Sequence, residues 1–225
     1  MQKTKTQIHT LSINKPIPEA TLTKWLNYLP PERQNQLQKF RFRDDYLRSL
    51  YGETILRTII AEKVEISPKT ITISRPEGKK PFLPNYPDIH FSISHSGEWV
   101  VCAVSDTEIG IDIEKIGEKE VKSSLKSRVL TKNELGYLET LSNKQKTTIF
   151  YQYWTIKEAY SKCIGLGLGI DFRKIEIAIT GQEITLTDNG KKWDGMIRSL
   201  DFSKDYALAL CTEKPINTIS FLDFA

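Results

Sequence analysis

The chain has 225 residues, 39% hydrophobic and 27% charged, with a formal net charge of +4. That length holds one or two domains around a real core and the balanced composition excludes wholesale disorder. The mild positive balance, without a dense lysine–arginine tract, carries no nucleic-acid signature and suits an anionic small ligand or an acidic protein partner.

Residues 7–13 read as a first strand and 19–29 as a short amphipathic helix. Pro30-Pro31 opens a second helix, because proline's missing N–H would be unpaired in a first turn anyway. A long helix follows from a cap at Asp44 to about Lys63, with Leu47, Leu50, Tyr51, Thr54, Ile55 and Ile59 at helical spacing. Residues 70–74, 89–94, 99–104 and 108–114 look extended. Thr131 followed by Glu134 is a capping-box pattern for a helix to about Leu141. Residues 147–163 form the second long helix, stopped by Gly165, Gly167 and Gly169. Strands at 174–179 and 183–187 flank a turn at Gly181, and further strands are expected at 196–202, 206–211 and 218–222. Strands and helices without steady βαβ alternation predict an α+β fold. The two halves repeat one layout, a strand or two, a long helix, then antiparallel strands. Their seam falls near 105–107, giving halves of residues 1–105 and 106–225.

In Glu108-Ile-Gly-Ile-Asp-Ile-Glu114, alternate side chains take opposite faces. The isoleucines enter the core, and Asp112 and Glu114 share the other face with Cα atoms roughly 6.5–7 Å apart. A divalent cation relieves the repulsion between two such carboxylates, and oxygen ligands favour magnesium or manganese. Gly110 leaves that face open for something bulky. A solvated amphipathic strand has the same pattern. In 154–162, Trp154, Glu158 and Lys162 recur at i, i+4 on one helix face. They are either a salt-bridged surface helix or a third carboxylate for the metal beside an ammonium for its phosphate. Ser94, His95, Ser96 and Gly97 end a strand as a polar turn or a phosphate cradle. The lysines of Gly78-Lys79-Lys80-Pro81 sit at a turn. Cys102, Cys163 and Cys211, odd in number and without CxxC spacing, predict neither disulfide nor zinc. Residues 1–10 are polar and no run approaches the about 20 apolar residues of a membrane span, so a cytoplasmic protein is expected. These segments leave open a magnesium-dependent nucleotide enzyme, such as a nucleotidyltransferase, and a non-catalytic module for acidic partners.

In this order the segments resemble the Sfp-type 4′-phosphopantetheinyl transferases, bacterial enzymes of the broad-specificity, secondary-metabolism kind. Gly110-Ile-Asp112-Ile-Glu114-Lys115 is similar to the family's Gly-Ile-Asp-x-Glu strand. Trp154-x-x-Lys157-Glu158-Ala-x-x-Lys162 resembles its helix, and Phe91-Ser-Ile-Ser-His95-Ser96 and Lys80-Pro81 resemble two further motifs. The likeness spans about 29–210. It implies a monomer of two similar subdomains in pseudo-twofold arrangement, each a long helix on a small antiparallel sheet, with coenzyme A between them. It implies that Asp112, Glu114 and Glu158 hold Mg2+ (or Mn2+). Lys162 and His95 would contact the pyrophosphate or the neighbouring 3′-phosphate, and Ser94 and Lys157 would also bind coenzyme A. Arg33, Arg48, Lys79, Lys80 and Pro81 would meet the adenosine and its 3′-phosphate. Two departures stand out: an extra lysine at Lys79-Lys80, and Gln36 where relatives carry a second basic residue. The implied reaction is attack by the serine hydroxyl of an apo acyl or peptidyl carrier protein on coenzyme A, releasing adenosine 3′,5′-bisphosphate. Glu158 would be the base and Lys162 the charge stabiliser. The carrier would dock on residues 118–130, through Lys122, Lys126 and Arg128, and on the glycine-rich stretch after Cys163.

Overall fold

A computed structural model describes residues 5–166, 169–216 and 218–224. The first half begins with β1 (Lys5–Ser12), α1 (Glu19–Leu26), α2 (Pro31–Leu37) and the long α3 (Arg43–Val64). It continues with β2 (His90–Ser96) and β3 (Trp99–Ser105). The second half runs through β4 (Ile109–Lys115), α4 (Ser123–Val129), α5 (Lys132–Glu139) and the long α6 (Asn143–Ile164). Five strands complete it, β5 (Ile175–Thr180), β6 (Glu183–Asp188), β7 (Lys191–Lys192), β8 (Met196–Ser199) and β9 (Tyr206–Thr212), and β10 (Thr218–Asp223) then returns to the sheet of the first half. Among the described residues three sheets result, in the orders β10-β1-β3-β2, β4-β9-β8 and β5-β6-β7. The α+β class is as expected.

Most local expectations hold. Thr131 and Glu134 bond each other's backbone N–H in the capping box, and Gly165 ends α6 in the left-handed region at φ 75°, where glycine has no Cβ to clash. Gly167, another expected stop, lies outside the described residues. Two expectations are corrected, and one helix is new. Phe42, not Asp44, occupies the cap position of α3, and Asp44 sits inside the first turn, where a carboxylate still favours the positive end of the helix. Residues 70–74 form no strand; only Ser74 bridges Phe82, and the Ile71 carbonyl goes to the Arg57 guanidinium at 2.7 Å. The helix α4 was not anticipated.

Each half has its own apolar core. In the first, Leu47, Leu50, Tyr51 and Ile55 of α3 pack on Val100 and Cys102. In the second, Phe150, Tyr153, Ile156 and Tyr160 of α6 pack on Ala209 and Cys211. A third cluster joins the halves, with Ile8, Val101 and Ala103 against Ile109, Ile111, Ile113, Leu208 and Leu210. All three β4 isoleucines are fully buried. Their burial fixes which face carries Asp112 and Glu114.

Candidate active site

The seam between the halves is stitched by alternate serines of β2. Ser92 Oγ accepts from the Ile111 N–H at 3.0 Å. Ser94 Oγ donates to Asp112 Oδ1 at 2.7 Å, and Ser96 Oγ donates to Glu114 Oε2 at 2.8 Å. Ser94, expected to meet a phosphate, is instead buried behind a carboxylate. Helix α6 comes in from the other side. A methyl group on Gly110 would stand 2.5 Å from the Cys163 backbone nitrogen and closer still to the Ala159 carbonyl oxygen. The space that Gly110 leaves is therefore filled by the backbone of α6, which brings Glu158 and Lys162 to β4.

Lys162 Nζ lies 2.6 Å from Asp112 Oδ1, and also bonds Ser94 Oγ and the Ile111 carbonyl. Burial is the first cause that raises the Glu114 pKa to about 6; the Ser96 hydrogen bond opposes it, and Asp112 and Glu158 push it further up. Glu158 is raised by burial and by Asp112, against Lys162. Asp112 thus raises the pKa of both Glu114 and Glu158, and three carboxylates around one ammonium form a site short of positive charge. Among the described residues no three such side chains are already gathered as metal ligands. Yet Asp112 Oδ2 is buried without a hydrogen-bond partner, and an unsatisfied buried carboxylate oxygen is costly without a cation. The donor set is all oxygen, which fits magnesium.

Beside these carboxylates opens a cleft of about 700 Å3. Arg33, Arg48, Arg75, Lys79, Lys80, His95 and Lys162 line it. Arg48 bonds Asp45 at 2.6 Å and the Gly97 carbonyl. His95 faces the cleft; desolvation there, then Arg48, and more weakly Lys162, hold its pKa below the ordinary histidine value, and a bound phosphate would reverse that. Lys80 crosses the seam to Glu108 and the Ile109 carbonyl, both at 2.7 Å, while Lys79 is exposed.

Two family models divide the chain between them. The 4′-phosphopantetheinyl transferase superfamily matches residues 108–211, and the N-terminal region of a 4′-phosphopantetheinyl transferase matches residues 15–107. A 4′-phosphopantetheinyl transferase of Bacillus subtilis is 30% identical over 212 residues, covering 93% of both chains. The chain belongs to the 4′-phosphopantetheinyl transferase family. The transferase Sfp of Bacillus subtilis is 29% identical over 93% of each chain, and the transferase gsp of Aneurinibacillus migulanus is 33% identical over 80% of this chain and 75% of its own. Among solved structures, a holo-(acyl-carrier-protein) synthase from Bacillus anthracis in complex with coenzyme A has a TM-score of 0.40 at 27% identity, covering 47% of this chain and 93% of its own. This phosphopantetheinyl transferase moves the phosphopantetheine group of coenzyme A to a carrier protein.

Two expectations for the transferase need correction. Lys157, expected at the ligand, has no exposed surface and is bonded to Glu134 Oε2, the Val129 carbonyl (2.8 Å) and the Phe172 carbonyl (3.1 Å). It is one residue from Glu158 but on another face of α6, where it ties the helix to the ends of α4 and α5. Lys126, expected at the carrier surface, is buried against Glu120 at 3.1 Å, whereas Lys122 and Arg128 are exposed. Sequence reasoning missed Glu53, Arg75 and Glu108. Glu53 on α3 is buried yet touches three arginines. A charged residue on the apolar face of a helix was the one available signal.

Proposed function

We propose that the transferase works at the seam, with Asp112, Glu114 and Glu158 holding Mg2+ (or Mn2+) and the neighbouring basic cleft holding coenzyme A. The observation that supports this reading most is the orphaned Asp112 Oδ2, set among mutually repelling carboxylates at the mouth of a cationic cleft. The ion would supply positive charge against the diphosphate as negative charge builds. Phosphoryl transfer asks for alignment and charge neutralisation more than covalent help. Lys162 bridges the two regions: it lines the cleft and bonds Asp112, so its ammonium steadies the departing phosphate. Glu158, with its pKa raised by burial, accepts the proton of the carrier serine directly or through water. His95, Arg48 and Lys79 orient the adenosine end, and Pro81 forms an apolar wall. The serine oxygen bonds to the pantetheine-side phosphorus, and adenosine 3′,5′-bisphosphate leaves. The carrier docks near the exposed Lys122 and Arg128. The reading extends to a monomeric, cytoplasmic enzyme with neither nucleic acid nor membrane as partner. Among the described residues no helix is long and apolar enough to cross a membrane.

The test incubates the chain with coenzyme A, magnesium and an apo carrier protein, followed by mass spectrometry. The carrier should gain one phosphopantetheine, and a chelator should stop the gain. An unchanged carrier mass would refute the proposed reaction.

A further inference from the structure

We infer that Tyr206 is a positioning residue: from β9 of the second half its hydroxyl fixes the β2–β3 turn of the first, and through Ser96 in that turn it sets the Glu114 carboxylate for the divalent cation. The inference rests on the metal reading above. Tyr206 is 6% exposed and belongs to the apolar cluster that joins the halves. Its ring meets Phe202 edge-on at 6.2 Å, and Phe202 meets Trp99 in the same way at 5.0 Å. Phenylalanine would fill that slot as well. The hydroxyl is the part that packing does not need, and a buried phenol calls for a polar partner. It has one across the seam, where it accepts from the Glu98 N–H at 3.1 Å.

The turn is shaped to receive it. Gly97 has φ 55°, in the left-handed region that glycine enters without strain. A methyl group there would run into the Tyr206 hydroxyl and stand 3.2 Å from Cζ. The Gly97 carbonyl accepts from Arg48, and the Glu98 carbonyl accepts from the Ile13 N–H at 2.8 Å. These contacts hold the turn to the first half. Ser96 and the Tyr206 hydroxyl hold it to the second. Ser96 Oγ accepts from the Lys115 N–H at 3.0 Å and donates to Glu114 Oε2 at 2.8 Å. Lys115 and Tyr206 face each other in the β4–β9 ladder, so one rung of that ladder supplies both the N–H that holds Ser96 and the hydroxyl that holds Glu98. A hydrogen-bond partner behind a metal-ligating carboxylate orients it and raises its affinity for the ion. Without the Tyr206 hydroxyl the turn can swing about Ser96, and the serine's bond to Glu114 turns with it.

The experiment measures Mn2+ uptake from the free-ion electron paramagnetic resonance signal, with coenzyme A present, for the full chain and for Tyr206→Phe, Ser96→Ala and the double variant. Loss of a supporting partner weakens a metal site by about ten- to hundredfold, the scale expected for Ser96→Ala. Tyr206→Phe removes one neutral hydrogen bond a step further back and should weaken uptake by about two- to tenfold. The double variant should bind no more weakly than Ser96→Ala, because the tyrosine acts through the serine. Phe202→Leu is the control for packing: it should lower the melting temperature and leave uptake as in the parent. Unchanged uptake in Tyr206→Phe, additive losses in the double variant, or an equal loss in Phe202→Leu would each overturn the inference. A parent chain that takes up no Mn2+ would refute the metal reading itself, whereas those three results remove the role of Tyr206 alone.

Discussion

Replacing Lys157 with methionine tests the division between ligand-binding and structural charge on α6. The ammonium is fully enclosed and makes three hydrogen bonds. Its partner Glu134 is 2% exposed and also bonds the backbone N–H groups of Thr131 (2.8 Å) and Ile177 (2.9 Å). Methionine keeps most of the apolar stem but strands a buried carboxylate, a loss of about 3–5 kcal/mol when one member of such a pair is removed. In a chain of this size each kcal/mol moves the melting temperature by about 2–4 °C, so a fall of about 6–20 °C is expected. Adding Glu134→Gln should restore part of it, since the amide keeps an oxygen for one N–H without a stranded charge. Thermal unfolding of the single and double variants measures this, with coenzyme A binding followed below the transition. If Lys157→Met melted like the parent but lost coenzyme A, Lys157 would be a ligand contact and the burial argument would be wrong.

Asp112→Ala should lower transfer by at least about a hundredfold, the scale for losing preorganised electrostatic stabilisation, while circular dichroism and a cooperative melt stay as in the parent. Gly110→Ala should cost about 3 kcal/mol or more, because the added methyl meets α6 backbone that has no soft side chain to yield. It should also depress kcat, since α6 would carry Glu158 and Lys162 away from Asp112; a normally active and stable variant would refute the close contact. The pH dependence follows from Glu114, whose pKa in the folded chain is raised to about 6. Its neutral form favours the folded state, so that contribution is present below the ordinary glutamate value and is lost as pH rises through about 6. A divalent cation needs the ionised form. Magnesium should therefore raise the melting temperature more at about pH 7.5 than at about pH 5.5, and equal shifts would argue against Glu114 as a ligand.

What the sequence made legible was periodic or local. Alternation in 109–114 foretold three buried isoleucines and two carboxylates on the opposite face, and the Thr131–Glu134 spacing foretold a cap. What it hid depends on residues far apart along the chain. The alternating run at 70–74 resembles a strand, but the Ile71 carbonyl is taken by Arg57, fourteen positions away. Lys157 shares a motif with Glu158, yet only Glu134, twenty-three positions back, explains its burial. Ser92, Ser94 and Ser96 share one face by simple alternation, but that this face meets β4 rather than a phosphate is a matter of how the two halves abut. Arg75 lies in a segment without periodicity and gains meaning only beside Glu53.

The strand β10 follows the whole second half and then runs parallel to β1, pairing from Lys5↔Thr218 to Thr10↔Asp223. Phe224 reaches the Trp25 ring at 5.9 Å, and Lys15 holds Asp223 at 3.1 Å. The polypeptide thus crosses from one half to the other twice, once through residues 106–108 and once on its way back to β1. A hinge at the first crossing would have to peel a strand from its sheet before it could open. The angle between the halves is therefore set by the fold, and substrates of different size must be accommodated by side chains and loops rather than by a jaw.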